Sequence, residues 1–462
     1  MKKVALHTLG CKLNFSETST IGRQFLERGF TIVGADEPAD VFVLNTCSVT
    51  ERADRDCRQI IRRTLRSSPE TYIIVTGCYA QLQPQEIAPI QGVDLILGSG
   101  EKFNIFRHEE TFAKRAIPQQ FVSCIDDAHS FDPAYSSGEG GRTRAFLKIQ
   151  DGCDYSCAFC TIPLARGASR SQDIASIVNE ANTLASAGFR EVVLTGVNVG
   201  DFGKGSGSNL LRLLRELEHV EGIDRFRVSS IEPNLLSTDL IAFMIASEKF
   251  CNHFHVPLQS GSDTVLRSMR RRYTTSQYRG IVETIRSMDP AAGIGADVIV
   301  GFPGETAELF AETRQFLADL PVSYLHVFTY SEREHTPAAS FGDAVEPRIR
   351  QQRSDTLRDL GRRKRRAFHD SFVGRRERVL FESAGSGGEY TGLTSQYVRV
   401  AVSSHAPLEN QILAAKILGA DDERCVGILI PPITHQHGES VSIPEAHNLF
   451  AIPNNFPEVE TI

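Results

Sequence analysis

The amino-terminal quarter of the chain alternates short apolar runs with longer amphipathic or polar stretches. The apolar runs at residues 4–9, 41–44, 72–75 and 94–97 predict strands, and the stretches at 16–27 and 50–66 predict helices. Strands and helices that alternate at this spacing form βαβ units and a parallel sheet. We therefore predict a parallel-sheet α/β domain over residues 1–125.

The same alternation continues through the middle of the chain. Strands are predicted at residues 145–149, 191–195, 225–229, 254–256, 294–300 and 324–328, with helical stretches between them. Six βα units suffice for a partial, TIM-like (β/α)6 barrel over residues 143–370, with functional groups at the carboxyl ends of its strands. Residues 126–142, rich in Gly, Ser and Asp, predict a linker between the two domains.

The last part of the chain has a different pattern. Short apolar runs at residues 378–382, 397–402, 411–417 and 425–430 are separated by Gly-rich or polar turns. This pattern predicts a small OB-like β-barrel over residues 371–433. Residues 434–462 are acidic with scattered prolines, and we expect an extended tail there. The fold class is thus α/β with a small carboxyl-terminal β-barrel.

Composition excludes several classes of protein. Apolar residues make up 41% and charged residues 23% of the 462 positions, which excludes a disordered, collagenous or coiled-coil chain. No apolar run approaches the roughly 18 residues of a membrane span. The first eleven residues imitate a signal peptide, but the apolar stretch is too short and contains His7. We therefore predict a cytoplasmic protein without a membrane partner.

Charge is unevenly distributed along the chain. The net charge is −7, yet residues 361–378 carry eight Lys or Arg against Asp370 and Glu377. Such a run is commonly a solvated helix face, and a nucleic-acid surface is the alternative.

Three of the ten cysteines follow predicted strands in the same way. Cys11, Cys47 and Cys78 each come after a strand and one or two Gly or polar residues. Because parallel strands end at one edge of a sheet, we expect these thiols to meet there and form a shared metal site. The alternative is three small residues buried in turns. Cys57 lies within a predicted helix and Cys124 in a polar connector, so neither is included.

A second group of cysteines follows the first strand of the predicted barrel. Cys153, Cys157 and Cys160 have the spacing C-x3-C-x2-C. Three thiolates on one loop can hold three irons of a [4Fe–4S] cluster and leave the fourth iron open to a substrate. Zinc is the alternative, but a structural zinc site needs four ligands and the loop has no nearby His.

Several motifs beside these cysteines resemble one enzyme family. They are TLGCKLN at 8–14, NTC at 45–47, GCYAQ at 77–81, HVPLQSGS at 255–262 and DVIVGFPGE at 297–305. Together with the C-x3-C-x2-C loop they resemble the radical S-adenosylmethionine methylthiotransferases, and the last domain resembles the RNA-binding TRAM module. The resemblance implies two [4Fe–4S] clusters, one on each cysteine triad, with S-adenosylmethionine as both methyl donor and radical source.

The resemblance also implies contacts to S-adenosylmethionine, and simple strand-end packing is the alternative for each of them. The implied contacts are Phe159, Gly196, Ser230 and Glu232. An electron donor such as flavodoxin or ferredoxin and a separate sulfur source are implied as partners. His335 stands where the family usually has Gly, so the local backbone there is an open question.

The first motif distinguishes groups within the family. TLGCKLN, followed by Glu17 and Thr18, most resembles the group that acts at C2 of N6-threonylcarbamoyladenosine at tRNA position 37. The protein-directed group usually has SLGCPKN there. We predict transfer of a methylthio group to this nucleoside. The alternatives are isopentenyladenosine as the substrate, a radical S-adenosylmethionine RNA methyltransferase, and a cluster-bearing RNA-binding protein without catalysis.

An anticodon-loop substrate gives the basic residues a function. The run at 361–378 joins the barrel to the RNA-binding module, where phosphate contacts are expected. The modified base carries a carboxylate that needs a cation if buried, and Arg333 is our preferred candidate, with a structural salt bridge as the alternative. The predicted RNA contacts are Arg267, Arg270, Arg271, Arg272, Arg333, Arg362, Arg363, Arg365 and Arg366.

Overall fold

The computed structural model of the protein describes residues 1–136 and 142–431. The predicted tail and residues 137–141 of the predicted linker lie outside the described residues.

The first domain is a six-stranded, all-parallel sheet in the order β2-β1-β3-β4-β5-β6. Its elements are β1 (Lys3–Thr8), α1 (Lys12–Glu27), β2 (Thr31–Val33), β3 (Val41–Thr46), α2 (Glu51–Ser67), β4 (Tyr72–Gly77), α3 (Cys78–Leu82), α4 (Pro84–Ile87), β5 (Val93–Leu97), α5 (Ile105–His108) and β6 (Gln119–Phe121). The strand order reverses between β1 and β3, and open α/β sheets bind ligands at the carboxyl edge beside such a point.

The predicted parallel sheet is confirmed, with two differences in detail. The pattern did not reveal β2 and β6, which have only three residues each. Helix α1 begins at Lys12, four residues earlier than predicted. Leu13 and Phe15 in this additional turn are buried, so packing against the rest of the protein favours the helix from its first residue.

The second domain is the predicted partial barrel. Its elements are β7 (Arg144–Lys148), β8 (Gln150–Asp151), α6 (Ile162–Arg166), β9 (Arg170–Ser171), α7 (Ile174–Ser186), β10 (Glu191–Thr195), α8 (Leu210–Leu217), β11 (Arg225–Val228), α9 (Thr238–Ala246), β12 (His253–His255), α10 (Asp263–Ser268), α11 (Thr275–Met288), β13 (Gly293–Val300), α12 (Ala307–Asp319), β14 (Tyr324–Thr329) and α13 (Pro347–Asp370). The parallel sheets β7-β10-β11 and β12-β13-β14 meet at a bridge between Phe226 and Phe250. The apolar side chains of all six strands share one core with helices α7 to α13.

The third domain is a closed five-stranded barrel, which agrees with the predicted OB-like fold. Its strands are β15 (Arg376–Ala384), β16 (Glu389–Leu393), β17 (Arg399–Ser403), β18 (Ile412–Ala420) and β19 (Cys425–Leu429), in the order β15-β16-β17-β19-β18. Only four strands were predicted, because β16 adjoins a Gly-rich turn and has few apolar residues. Pairing with β15 and β17 nevertheless makes it a strand and buries Tyr390 and Leu393.

The two smaller domains lie at opposite ends of the barrel. The first domain covers the carboxyl ends of the barrel strands, where Gln83 Nε2 donates to Glu334 Oε2 at 3.1 Å. The third domain docks where the strands begin: Arg225 and Arg227 donate to the carbonyl oxygens of Leu393 and Thr394 at 2.6 and 3.0 Å. Among the described residues, no helix is long and apolar enough to span a membrane.

Candidate iron–sulfur site

The structure brings the first cysteine triad together at the carboxyl edge of the first sheet. Cys11, Cys47 and Cys78 follow β1, β3 and β4, which are neighbours in the sheet. A methyl group added at Gly10 would lie only 2.9 Å from Cys47 Sγ, so this sulfur packs closely against the Gly10 backbone, next to Cys11. The structure therefore places the three cysteines at one edge of the sheet, and a shared metal site there stays a prediction.

Gly77 makes the sharp turn that presents Cys78. Its φ of +96° and ψ of −162° lie in a region that only glycine occupies readily. A methyl group at this position would lie 2.5 Å from Asn45 Oδ1 and 2.5 Å from the Thr46 carbonyl oxygen. The absence of a side chain at Gly77 thus allows the third cysteine to lie beside the other two.

Asn14 joins the strand ends that carry these cysteines. Its Nδ2 donates to the carbonyl oxygens of Leu9 and Thr46 at 2.8 and 3.0 Å. The Thr46 hydroxyl in turn donates to the Thr76 carbonyl at 2.5 Å. These hydrogen bonds fix the ends of β1, β3 and β4 relative to one another, and hence the three cysteines.

The second triad lies on the loop that follows β8, and each sulfur there has an N–H donor. The backbone N–H of Tyr155 faces Cys153 Sγ at 3.4 Å, and that of Ile162 faces Cys160 Sγ at 3.4 Å. Arg271 Nη1 donates to Cys157 Sγ at 3.1 Å. Hydrogen bonds to cluster sulfurs help to set the reduction potential of iron–sulfur sites.

The path of this loop depends on Gly152 and Gln150. Gly152 has φ +69°, and a methyl group there would lie 2.0 Å from the Ala168 carbonyl oxygen. Gln150 donates to the Gly152 carbonyl at 2.8 Å and accepts from the Asn198 backbone N–H at 2.8 Å. It thereby ties the cysteine loop to the turn that contains Gly196. Nothing in the sequence pattern distinguished Gln150 from an ordinary polar residue.

The spacing of the sulfurs does not suit a single tetrahedral zinc ion. Thiolates bound to one tetrahedral zinc at 2.3 Å lie about 3.8 Å apart. Among the described residues, only His255, Asp297 and His326 place three metal-ligand atoms within 4.8 Å of one another. In each cysteine triad, therefore, at least one pair of sulfurs is farther apart than a single zinc ion allows. Three soft thiolates are the ligand set that a [4Fe–4S] cluster takes, so the donor chemistry of each triad fits such a cluster.

Burial affects the protonation of these thiols. It raises the pKa of Cys47, Cys153 and Cys160 to about 12 in each case. The thiolate form that binds iron thus needs positive charge close by, and a bound metal supplies it.

The histidine and aspartate group occupies the interior of the barrel. Asp297 Oδ1 lies 2.7 Å from His255 Nε2 and 3.1 Å from His326 Nδ1. Burial raises the pKa of Asp297, but the two histidines outweigh this effect and hold it below its usual range. Ser230 Oγ, at 2.7 Å from His255 Nδ1, extends this network towards the end of β11.

The other residues predicted to contact S-adenosylmethionine lie around the second triad. Phe159 is half-buried in an apolar cluster with Ala158 and Met269. Glu232 forms an ion pair with Arg271, the donor to Cys157. All of them are at the carboxyl ends of the barrel strands or on the cysteine loop.

A buried charge network that the motifs did not reveal lies between the triads. Glu17 Oε1 forms ion pairs with Arg166, Lys102 and Lys148, with nitrogen–oxygen distances of 3.0, 2.9 and 3.3 Å. The Asp151 carboxylate forms ion pairs with Lys148 at 2.7 Å and with Arg166 at 3.0 Å. Burial raises the pKa of Glu17, but its three cations hold it well below its usual range. The only sequence signal was the position of Glu17 and Arg166, each six residues after a cysteine.

The predicted RNA-contacting arginines divide into two sets. Arg333 donates to Asp54 and to the Ser48 hydroxyl at 2.7 Å each, and its side chain is 9% exposed. Arg271 is similarly buried against Glu232 and Cys157, so both charges have partners inside the protein. In the structure Arg333 thus forms a structural salt bridge, which was the alternative to contact with the substrate carboxylate. The exposed members are Arg267, Arg270, Arg272, Arg362, Arg363 and Arg366, with Arg365 half-buried.

Comparison with known proteins decides the family. Residues 3–98 match the Uncharacterized protein family UPF0004, and residues 147–317 match the Radical SAM superfamily. The chain is 38% identical over 426 residues to threonylcarbamoyladenosine tRNA methylthiotransferase MtaB of Bacillus subtilis, covering 91% of this chain and 94% of that protein. The protein of the same name from Aquifex aeolicus is 40% identical over 382 residues, covering 82% and 92%.

The chain belongs to the radical S-adenosylmethionine methylthiotransferase family. This confirms the family predicted from the motifs, and it implies S-adenosylmethionine and a [4Fe–4S] cluster as cofactors. Among solved structures, the radical S-adenosylmethionine methyltransferase TsrM from Kitasatospora setae has a similar fold. The TM-score is 0.51 at 15% identity, covering 73% of this chain and 77% of TsrM.

Proposed function

We propose that this methylthiotransferase acts on tRNA and adds a methylthio group to C2 of N6-threonylcarbamoyladenosine at position 37. The observation that carries the proposal is the arrangement of the two cysteine triads. One lies at the carboxyl edge of the first sheet, the other at the carboxyl ends of the barrel strands, and these two faces pack on each other. The choice of nucleoside rests on the first motif and on the names of the relatives.

Each triad has a separate role in this proposal. Cys153, Cys157 and Cys160 hold the [4Fe–4S] cluster that binds S-adenosylmethionine, and Cys11, Cys47 and Cys78 hold a second one. When bound, the clusters and two molecules of S-adenosylmethionine supply the electron, the hydrogen-abstracting radical and the methyl group, and a separate source supplies the sulfur. The C2–H bond is replaced by a C2–S bond. The proposed contacts to S-adenosylmethionine are Phe159, Gly196, Ser230 and Glu232.

The chain's own residues have three tasks in this reaction. They hold the two triads, they exclude water from the interface between the first domain and the barrel, and they orient the target base. A base in a single-stranded loop can be turned out of its stack and read individually. In this proposal the target nucleoside enters the interface between the two triads.

We propose the predicted division of labour among the domains. Residues 1–125 form the auxiliary-cluster domain, 143–370 the radical core and 371–433 the RNA-binding TRAM domain. The proposed phosphate contacts are the exposed arginines at positions 267–272 and 362–366. A tRNA substrate implies a cytoplasmic reaction, and the chemistry implies an electron donor such as flavodoxin or ferredoxin and a separate sulfur source.

The test is reconstitution of the full chain with iron and sulfide, followed by reaction with two tRNAs. One tRNA carries threonylcarbamoyladenosine and the other isopentenyladenosine. Mass spectrometry of the nucleosides should show a gain of one methylthio group on the first only. Exclusive conversion of the isopentenylated tRNA would refute the substrate and leave the enzyme class intact.

Iron content tests the two-cluster part separately. The wild-type protein should bind about eight irons per chain, two cubanes of four. Replacing Cys11, Cys47 and Cys78 by Ala should leave about four irons and intact S-adenosylmethionine cleavage, whereas replacing the other triad should abolish cleavage. Four irons in the wild type would favour a radical RNA methyltransferase instead.

A further inference from the structure

Arg166 is a fully buried arginine that contacts the supports of both cysteine triads. It ends α6, the helix that follows Cys160, and its side chain is 1% exposed. Its guanidinium donates to residues of the first domain and of the barrel. These contacts place it at the interface between the first domain and the barrel.

Towards the first triad, Arg166 acts through Asn14. Arg166 Nη2 donates to Asn14 Oδ1 at 2.5 Å. Asn14 Nδ2 is the group that joins the strand ends before Cys11 and Cys47. The guanidinium also donates to both carboxylate oxygens of Glu17, at 3.0 and 3.1 Å. The position of Arg166 therefore limits how the first triad can be oriented.

Towards the second triad, Arg166 acts through Asp151. Arg166 Nη1 donates to Asp151 Oδ1 at 3.0 Å. The same carboxylate oxygen accepts the Gly152 backbone N–H at 2.8 Å, one residue before Cys153. One planar guanidinium is therefore two hydrogen bonds away from the ligand loops of both triads. Only arginine offers such a rigid fork of donors.

The surroundings of Arg166 have a surplus of positive charge. Among the described residues, four cations form ion pairs with the carboxylates of Glu17 and Asp151: Lys102, Lys148, Arg166 and Arg170. A third carboxyl group, that of Asp132, lies close enough to interact electrostatically with three of these cations, so four cations face three carboxyl groups. A [4Fe–4S] cluster held by three thiolates carries net negative charge, which increases on reduction. Buried cations beside such a site stabilise its reduced form.

We propose that Arg166 is a positioning residue that fixes the two triads in one mutual arrangement and provides positive charge to the cluster on Cys11, Cys47 and Cys78. This inference rests on the two-cluster function proposed above. Two properties of the Arg166 side chain have different effects. Its forked donors determine the mutual arrangement of the two triads, and its positive charge favours reduction of the cluster.

Two substitutions separate these properties in the reconstituted full-length protein. Arg166→Lys keeps the charge but cannot make the forked contacts, and Arg166→Gln removes the charge as well. Arg353→Lys is the matched control: Arg353 is also buried and pairs with Glu305 at 2.7 Å, but it lies on α13, and its side-chain partners Glu305 and Phe310 belong to neither triad. Iron content and circular dichroism establish that each variant is folded and loaded.

The readouts are electron paramagnetic resonance of the reduced protein and a redox titration of each cluster. In Arg166→Lys we expect wild-type midpoint potentials but a weaker and broader magnetic interaction between the two clusters. In Arg166→Gln the potential of the first-triad cluster should also shift to more negative values. Arg353→Lys should match the wild type in both measurements.

The outcomes distinguish failure of this inference from failure of the proposed function. A wild-type protein with only four irons refutes the two-cluster function and this inference with it. Eight irons, together with an unchanged cluster–cluster interaction in Arg166→Lys, overturn the positioning role alone. If Arg166→Gln does not fold, the comparison of Arg166→Lys with Arg353→Lys still decides that role.

Discussion

Two glycines should control the two clusters independently. Gly77 precedes Cys78 of the first triad, and Gly152 precedes Cys153 of the second. We expect Gly77→Ala to lose the first-triad cluster and to retain S-adenosylmethionine cleavage. We expect Gly152→Ala to lose the other cluster and the cleavage with it. Each substitution adds one methyl group and leaves all six cysteines in place.

The magnitude follows from the backbone and from the space around it. At Gly77 the φ and ψ angles cost an alanine about 1–3 kcal/mol. The added methyl, 2.5 Å from two oxygens, costs about 1–3 kcal/mol more for the displacement it forces. The sum of about 2–6 kcal/mol corresponds to cluster binding weakened between about 30-fold and about 10⁴-fold. At Gly152 the contact with the Ala168 carbonyl, at 2.0 Å, is closer still.

The assay is iron per chain before and after incubation with a chelator, together with S-adenosylmethionine cleavage without tRNA. Two control substitutions distinguish the effect of backbone strain from the effect of steric overlap with the added methyl group. Gly188 has φ +88° with nothing within 4 Å of an added methyl, so Gly188→Ala has backbone strain alone. Gly280 lies within α11 with the same open space, and Gly280→Ala should be stabilising by about 0.5–1 kcal/mol. Both controls should retain all the iron.

Two results would refute this reasoning. If Gly77→Ala keeps its full iron content under the chelator, the close contacts in the structure do not govern the site. If either glycine variant loses both clusters while it remains folded, the two sites are not independent.

Three further predictions concern stability and RNA binding. His335 stands at φ +64°, so His335→Gly relieves strain and should raise stability by up to about 1 kcal/mol in thermal unfolding; a lower midpoint would contradict this. Burial lowers the pKa of His7 from 6.5 to about 4, with Arg63 adding to the shift. Because the unfolded chain then binds the proton more readily, stability should fall as the pH drops from 6.5 to 4. The stability of His7→Leu should depend less on pH than that of the wild type. If the stability of both proteins falls equally between pH 6.5 and 4, His7 is not responsible. Neutralising the basic run should reduce the salt dependence of tRNA binding by up to about four phosphate contacts, and an unchanged slope would indicate a solvated helix face. The arginines to neutralise are Arg362, Arg363, Arg365 and Arg366.

The pattern of apolar residues was enough to predict the layers of the fold and the strand ends at which the cysteines lie. Apolar runs at regular spacing identify buried strands, and parallel strands must end at one edge of a sheet. The strand pattern therefore predicts that Cys11, Cys47 and Cys78 lie at the same edge of the sheet, although they are far apart in the sequence. Cys153 to Cys160 were easier still, because a short loop keeps its ligands together.

The pairing of charged residues depends instead on how the domains pack. Arg333 follows the last barrel strand, a position that predicts access to substrate, yet packing of the first domain places it against Asp54. Arg166 and Glu17 are 149 residues apart and belong to different domains, so no local pattern relates them. Periodicity reports whether a position is buried and not which partner it meets. The choice of partner depends on how whole domains dock, and that information is spread over the entire chain.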